Sequence, residues 1–199
     1  MSNEQQQISI VPLNMAFWRD DYWQMFNDSA ANALTSHAQG RMTRKRALKY
    51  VEYVEAEFGK SYPETLVWVV MKAPIKYPDG GARVYNMEDY CGNVSLQSID
   101  WHNGSAELAI FLKSEHHKKG IGYLVCSMVL SYGFTRLNLH RIWTGTRSVN
   151  TGMRKLATKL GMREEGCFVD AARVNGEWVD VIEFGILADE WQRRMDDGA

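Results

Sequence analysis

Hydrophobic residues recur along this chain with two spacings, and each change of spacing marks the end of an element. Ile8-Ser-Ile-Val11 is a short strand ended by Pro12. From Asn14, Trp18, Tyr22, Met25 and Phe26 share one face of a helix, and the small, polar stretch 27–40 is irregular. Thr43 caps a second helix with Ala47, Tyr50, Val51, Val54 and Phe58 at helical spacing, and Gly59 stops it. Leu66-Val-Trp-Val-Val-Met71 is β-branched and aromatic, hence a strand. The stretch 74–90, with Pro78-Asp-Gly-Gly81, is too long for a hairpin loop and reads as a surface excursion, with a flap over a site as the alternative. Gly92 to Ile99 and Ser105 to Leu112 are strands joined by a tight turn at Asn103-Gly104.

Gly120 opens a third helix, which places Ile121, Leu124, Val125, Met128 and Tyr132 on one face. Arg141 to Thr144 is a short strand. Thr151 to Leu160 is a helix turning Met153, Leu156, Ala157 and Leu160 inward, and Gly161 ends it. A hairpin follows, Cys167 to Arg173 and Trp178 to Leu187, turning at Asn175-Gly176. No repeat, low-complexity tract or linker interrupts the series. The expected organisation is one α/β (α+β) domain over 1–199, with a disordered N-terminus at about 1–6 and an acidic C-terminal tail at about 192–199.

Composition removes several function classes. Charged residues make up 24% of the chain and the net charge is -1, so no nucleic-acid footprint dominates. The run Arg41 to Arg46 reads as a solvated helix start, with a polyanion site as its alternative. Cys91, Cys126 and Cys167 are odd in number and lack metal-ligand spacing, and the five histidines form no zinc pattern, so no metal is expected. No stretch approaches the ~18 apolar residues of a membrane span. The first residues lack the basic and apolar regions of a signal peptide, so the expectation is a cytoplasmic protein without a membrane partner.

The chemistry concentrates in Ala109-Ile-Phe-Leu-Lys-Ser-Glu-His-His-Lys-Lys-Gly-Ile-Gly122, which reads strand, basic loop, two glycines, helix. The first N–H groups of a helix have no intrahelical partner and carry the positive end of its dipole. Gly120 and Gly122 let a bulky anion approach the backbone, and His117, Lys118 and Lys119 add positive potential. The segment fits neither the phosphate loop of NTPases, which needs Lys then Ser or Thr after its second glycine, nor the three-glycine dinucleotide fingerprint. A plain helix start is the structural alternative.

The hexapeptide His117-Lys-Lys-Gly-Ile-Gly122 resembles the pyrophosphate-binding motif of the GNAT superfamily of N-acetyltransferases. Downstream, Leu139-His-Arg-Ile142, Asn150, Lys159-Leu-Gly-Met-Arg-Glu-Glu-Gly166 and Asn175-Gly-Glu-Trp-Val-Asp-Val181 follow the order and spacing of its RimJ/RimL-like branch. The resemblance implies a central mixed, mostly antiparallel sheet flanked by helices. The sheet splays between its fourth and fifth strands, with acetyl-CoA as co-substrate in the opening. It implies that the backbone of Ile110, Phe111 and Leu112 pairs with the pantetheine arm, and that His117, Lys118, Lys119, Gly120, Ile121, Gly122 and Tyr123 hold the pyrophosphate. Asn150 would bind the pantetheine, with capping of the helix at Thr151 as its alternative. Lys155 would face the adenosine phosphate, with a solvated helix position as its alternative.

The implied reaction is direct acetyl transfer from acetyl-CoA to a primary amine, of a small molecule (amino sugar, polyamine, amino acid or antibiotic) or a protein N-terminus. An amine of pKa ~10 is mostly protonated at neutral pH, so a base or proton relay assists. Positions where relatives of this family carry an acid or base are Ala157, Met153, Gly145 and Ala172 here. Glu107, on the strand entering the site, is the candidate base, with a structural carboxylate as its alternative. Asp170 is the candidate grip for the amine, whereas Trp18, Tyr22 and Trp143 read as packing. The expected partners are acetyl-CoA and an amine acceptor, in a monomer or homodimer. A catalytically idle acyl-CoA-binding or interaction module is the rival reading.

Overall fold

The fold was obtained as a computed structural model, and the structure describes residues 8–14, 42–72 and 87–198. Seven strands form one sheet in the order β1-β2-β3-β4-β5-β7-β6. They are β1 Ser9–Pro12, β2 Leu66–Met71, β3 Tyr90–Asp100, β4 Ser105–Leu112, β5 Arg141–Arg147, β6 Arg163–Val174 and β7 Glu177–Leu187. Every neighbouring pair is antiparallel except β4 and β5, which run parallel. Four helices are described: α1 Arg44–Glu57, α2 Ile121–Thr135, α3 Thr151–Lys159 and α4 Ala188–Asp196. The mixed, mostly antiparallel sheet flanked by helices is therefore present.

Side chains alternate across the strands, so each face has its own core. Leu66, Trp68, Val70, Val94, Leu96 and Leu108 pack on one face with Ile121, Val125 and Val129 of α2, with Ala157 of α3 and with Trp191 of α4. Val67, Val69 and Met71 point to the other face and pack with Val51 and Val54 of α1. Thr43 caps α1 by accepting from the Arg46 amide at 3.3 Å. Gly161 ends α3 at φ 85°, and Asn175 and Gly176 turn the last hairpin at φ 52° and 91°, the signs a two-residue type I′ turn requires. Buried Glu57 closes the path from α1 to β2 by pairing with Lys60 and accepting from the Glu64 amide at 2.6 Å.

Several boundaries and one helix face differ from the sequence reading. Pro12 pairs with Trp68 as the last residue of β1, a position an edge strand tolerates. Strand β5 continues to Arg147, and β6 begins at Arg163 rather than Cys167. Residues 188–196 of the chain's end form α4, whose Trp191 indole donates to Ser131 Oγ of α2 at 3.1 Å. On α2, Leu124, Met128 and Tyr132 are 40%, 37% and 37% exposed, while Val125, Cys126, Val129, Leu130, Gly133 and Phe134 are buried. That helix is apolar on nearly every side, so spacing alone did not select the buried face. The helix expected from Asn14, the stretch 27–40, the N-terminus at 1–6 and most of the excursion 74–90 lie outside the described residues; of the last, 87–89 form a 3-10 turn and Tyr90 enters β3.

The feature that positions the site is an unequal pairing of β4. Against β3 it is paired along its length, from Gly92↔Leu112 to Asp100↔Ser105. Against β5 it pairs only at Ser105↔Arg141, Ala106↔Ile142 and Glu107↔Trp143. Beyond Glu107 the two strands part, at the place expected for the splay. Gly92 sets the depth of the β3–β4 contact there, since a Cβ on it would lie 2.1 Å from the Phe111 carbonyl oxygen and 2.8 Å from Leu112 Cα. Backbone, not a flexible side chain, would have to move. Gly92→Ala should therefore lower stability by about 3 kcal/mol or more, read as a fall in the denaturation midpoint at unchanged slope.

Candidate coenzyme site and the carboxylate beside it

Past the splay, the polar backbone groups of residues 108–112 that face β5 have no strand opposite them. At the end of β4, the loop Lys113 to Lys119 turns into α2 through a 3-10 turn at Ser114–His116. His117 braces this turn, because its Nε2 donates to the Leu112 carbonyl at 2.9 Å, and a carbonyl can only accept. His117 thus shapes the loop, and one of Leu112's two backbone groups is already engaged.

Gly120 caps α2 at φ 81° and ψ -10°, left-handed values that a residue with a Cβ resists. A Cβ built there meets nothing within 4 Å, so the space above the helix start is open. The first helical bond runs from the Leu124 amide to the Gly120 carbonyl at 3.2 Å, so the amides of Ile121, Gly122 and Tyr123 have no helix carbonyl to donate to. Gly122 is close-packed: its added Cβ would come 3.4 Å from Leu156 Cδ2 and 3.7 Å from Ile110 Cδ1. The two glycines therefore do different work, the first conformational and the second steric. Lys118 (φ 59°) and Lys119 are exposed beside the open amides. A strand edge without a partner next to an amide nest with basic flanks fits an extended molecule that carries amides at one end and phosphates at the other.

Three other expectations fall differently. Asn150 caps α3, its Oδ1 accepting from the Met153 amide at 3.1 Å, so the structural role is occupied. Lys155 lines a groove of about 460 Å³ with Arg154, Thr158, Lys159, Glu164 and Phe184. The side chain that does reach the loop region is Lys159, whose Nζ stands 4.5 Å from the centre of the Tyr123 ring. Spacing on α3 gave no reason to prefer it, because only the packing of α3 on α2 brings the two together. Asp170 sits at φ 52° in a bulge of the edge strand β6, its amide donating to Asp180 Oδ1 at 3.0 Å. It is three strand spacings from β4, about 14 Å, so the structure does not bring it to Glu107.

Glu107 is half-buried at the last residue that β4 shares with β5, opposite Gln97 and Trp143. Its neighbours Ala106 and Leu108 enter the core under α2, so Glu107 faces the opposite side of the sheet. It thus stands at the apex of the splay, on the side away from the helix whose N-terminus forms the amide nest. At the expected acid and base positions, Ala157 is buried in the core and Gly145 leaves a bare patch beside Trp143 and Val181. Among the described residues, no group of three or more His, Cys, Asp or Glu side chains could hold a metal ion, and no helix is long and apolar enough to cross a membrane.

With this geometry in view, the relationships of the chain are clear. The acetyltransferase (GNAT) domain family matches residues 11–163, and the chain belongs to that family. It is 32% identical over 122 residues to spermidine N(1)-acetyltransferase of Vibrio cholerae serotype O1, covering 59% of this chain and 70% of the relative. Identity to YdaF of Bacillus subtilis (strain 168) is 31% over 102 residues, or 51% of this chain and 56% of that protein. With the N-acetyltransferase p20 of Bacillus licheniformis it is 32% over 54% of this chain and 61% of that protein. The match thus spans little more than half the length of these last two. A crystal structure of spermidine N-acetyltransferase from Vibrio cholerae with CoA and spermine superposes with a TM-score of 0.72 at 22% identity, covering 94% of this chain and 98% of the other. That likeness establishes the fold.

His116, under the basic loop, is 2% exposed, and neither ring nitrogen has a well-aligned hydrogen-bond partner among the described residues, although Glu115 Oε1 is 3.1 Å from Nε2. Burial holds its pKa below the usual histidine value, aided by Lys72, Lys119 and Lys113 and opposed by Glu115. The fold therefore favours the neutral ring, and the unfolded chain takes up the proton first as pH falls. This contribution to stability is whole above about pH 6.5 and is lost as pH drops toward the lowered folded value. The melting temperature should fall more steeply between pH 7.5 and 5.5 in the wild type than in His116→Leu.

Proposed function

We propose that the protein is an acetyl-CoA-dependent N-acetyltransferase that moves the acetyl group directly to a primary amine. The observation that carries this reading is the adjacency of two unpaired backbone surfaces: the edge of β4 beyond Glu107 and the open amides at the start of α2. Acetyl-CoA, bound as a co-substrate, supplies a thioester whose carbonyl carbon is the electrophile.

In this reading, the backbone of Ile110 and the remaining backbone group of Leu112 hold the pantetheine as an added strand would, while Phe111 between them pairs with Asn93 of β3. Gly120, Ile121, Gly122 and Tyr123 hold the pyrophosphate through their amides, with Lys118 and Lys119 as flanking charge. Asn150 contributes by fixing the start of α3 beside the arm. An N–H of β4 near Ile110 stabilises the oxyanion. Glu107, at the apex of the splay, takes a proton from the substrate ammonium directly or through water, so that the neutral amine attacks the thioester carbonyl. The coenzyme thiolate, whose thiol has a pKa of ~8.5, then leaves without strong acid assistance and takes up the proton the nitrogen sheds. That economy suits a site with Ala157, Met153, Gly145 and Ala172 at the other acid and base positions. The acceptor class is a small amine or a protein N-terminus, and the spermidine acetyltransferases among its relatives favour a polyamine as the first to assay. Asp170 is too distant to grip the reacting amine and serves at most the far end of a long acceptor.

Thiol release from acetyl-CoA, followed over a panel of polyamines, amino sugars, amino acids and peptides, should rise well above hydrolysis with at least one of them. Coenzyme binding without turnover on any acceptor would favour the idle-module reading. Glu107→Gln should keep coenzyme affinity and lower turnover by about 100-fold or more, with loss of the acidic limb of the pH–rate profile. A destabilised but active variant would make the carboxylate structural.

Gly120→Val should abolish coenzyme binding measured by calorimetry, because a β-branched residue cannot hold φ 81° without strain and its side chain would enter the open space above the amides. Lys118→Ala and Lys119→Ala should each cost only a few-fold in affinity.

A further inference from the structure

We propose that Lys159 is the residue that recognises the 3′-phosphate of the coenzyme and so selects CoA over its dephosphorylated form. The inference rests on the coenzyme reading above and adds a specificity element that comes from α3 rather than from the loop.

Lys159 is the last residue of α3, and its position there is fixed from two sides. Arg194 of α4 donates through Nη2 to the Lys159 carbonyl at 2.8 Å, which anchors the backbone. The ammonium lies over the Tyr123 ring, 4.5 Å from its centre, within the range where a cation is attracted to an aromatic face. Tyr123 follows Gly122 in the first turn of α2, so the cation is held beside the nest but outside it. Leu156 of the same helix lies against Gly122, which fixes the spacing between α3 and the nest.

The amides of Ile121, Gly122 and Tyr123 saturate when they grip the pyrophosphate. The remaining charge of the coenzyme is a phosphomonoester on the ribose, which carries close to two negative charges at neutral pH. A tethered ammonium next to the nest, on the helix that bounds the opening, is placed to meet it. Lys155, one turn earlier, lines the same groove as Lys159, and the stacking on Tyr123 is what singles Lys159 out. Lys118 and Lys119 flank the loop from the strand side and serve the pyrophosphate. A stacked ammonium also gives up less side-chain freedom on binding than an unrestrained lysine does, since the aromatic face already restricts it.

The test is calorimetric binding of CoA and dephospho-CoA to the full chain, for wild type, Lys159→Met, Lys159→Arg, Tyr123→Leu and Lys155→Met. Wild type should bind CoA about 10-fold more tightly than dephospho-CoA. Lys159→Met should weaken CoA by about that factor, change dephospho-CoA by less than two-fold, and so collapse the ratio. Lys159→Arg should recover most of the ratio, and Tyr123→Leu should lose part of it. Equal weakening of both ligands by Lys159→Met, a wild-type ratio near one, or collapse of the ratio in Lys155→Met instead would overturn the assignment. No binding of either ligand to wild type would instead refute the coenzyme reading on which it rests. Thermal melts of each variant without ligand separate a binding effect from a folding one.

Discussion

Backbone hydrogen-bond satisfaction is the constraint around which this molecule is arranged. A strand in the middle of a sheet ordinarily has both edges paired, and β4 has one edge paired throughout and the other for three residues only. The parallel pairing with β5 holds the two halves of the sheet together at Ser105 to Glu107, and the divergence beyond Glu107 leaves an edge inside the protein without a partner strand. Such an edge is costly when buried dry and useful when a ligand supplies the missing partner. Most of the remaining architecture keeps the two halves apart without letting them separate.

Close packing of helices on one face achieves this. Gly133 of α2 lies against both halves: an added Cβ would come 2.7 Å from Ile142 Cδ1 on β5 and 3.1 Å from Leu96 Cδ1 on β3. The helix thus bridges the splay from below, with its N-terminus at the open end. Helix α4 is tied to α2 through Trp191 and Ser131, and to α3 through Arg194 and Lys159. On the other face, Arg141 makes a two-pronged pair with Glu165 across Gly185, where any side chain would collide with it. That ion pair binds the edge strand β6 to β5 over the intervening β7, and the paired guanidinium holds the Glu165 carboxyl below the usual carboxylate range. The glycines at 92, 133 and 185 are sites of close approach, distinct from Gly120, which is a site of backbone conformation.

Carboxylates divide in the same way. Glu57 and Glu165 are consumed by structural partners, and Asp100 accepts from the amides of His102 and Asn103 in the β3–β4 turn. Glu107 marks the residue at which β4 leaves β5.

The amino-acid sequence by itself determined the elements whose cause is local. Thr43, Gly161 and Asn175-Gly176 act through caps and turn angles that depend on a few adjacent residues, and each was legible before any packing was known. The strand, loop and helix that surround Gly120 were legible because spacing along the chain survives folding. Tertiary structure decided what depends on contacts between distant segments. It buried Cys126, Val129 and Phe134 beside the expected Ile121 and Val125 and left Leu124, Met128 and Tyr132 exposed, since an almost wholly apolar helix has no preferred face until neighbours cover two sides of it. It gave Asn150 a cap to make and moved Asp170 to an edge bulge. It also brought Lys159 onto Tyr123, a contact between two helices that only the crossing of α3 over α2 could make.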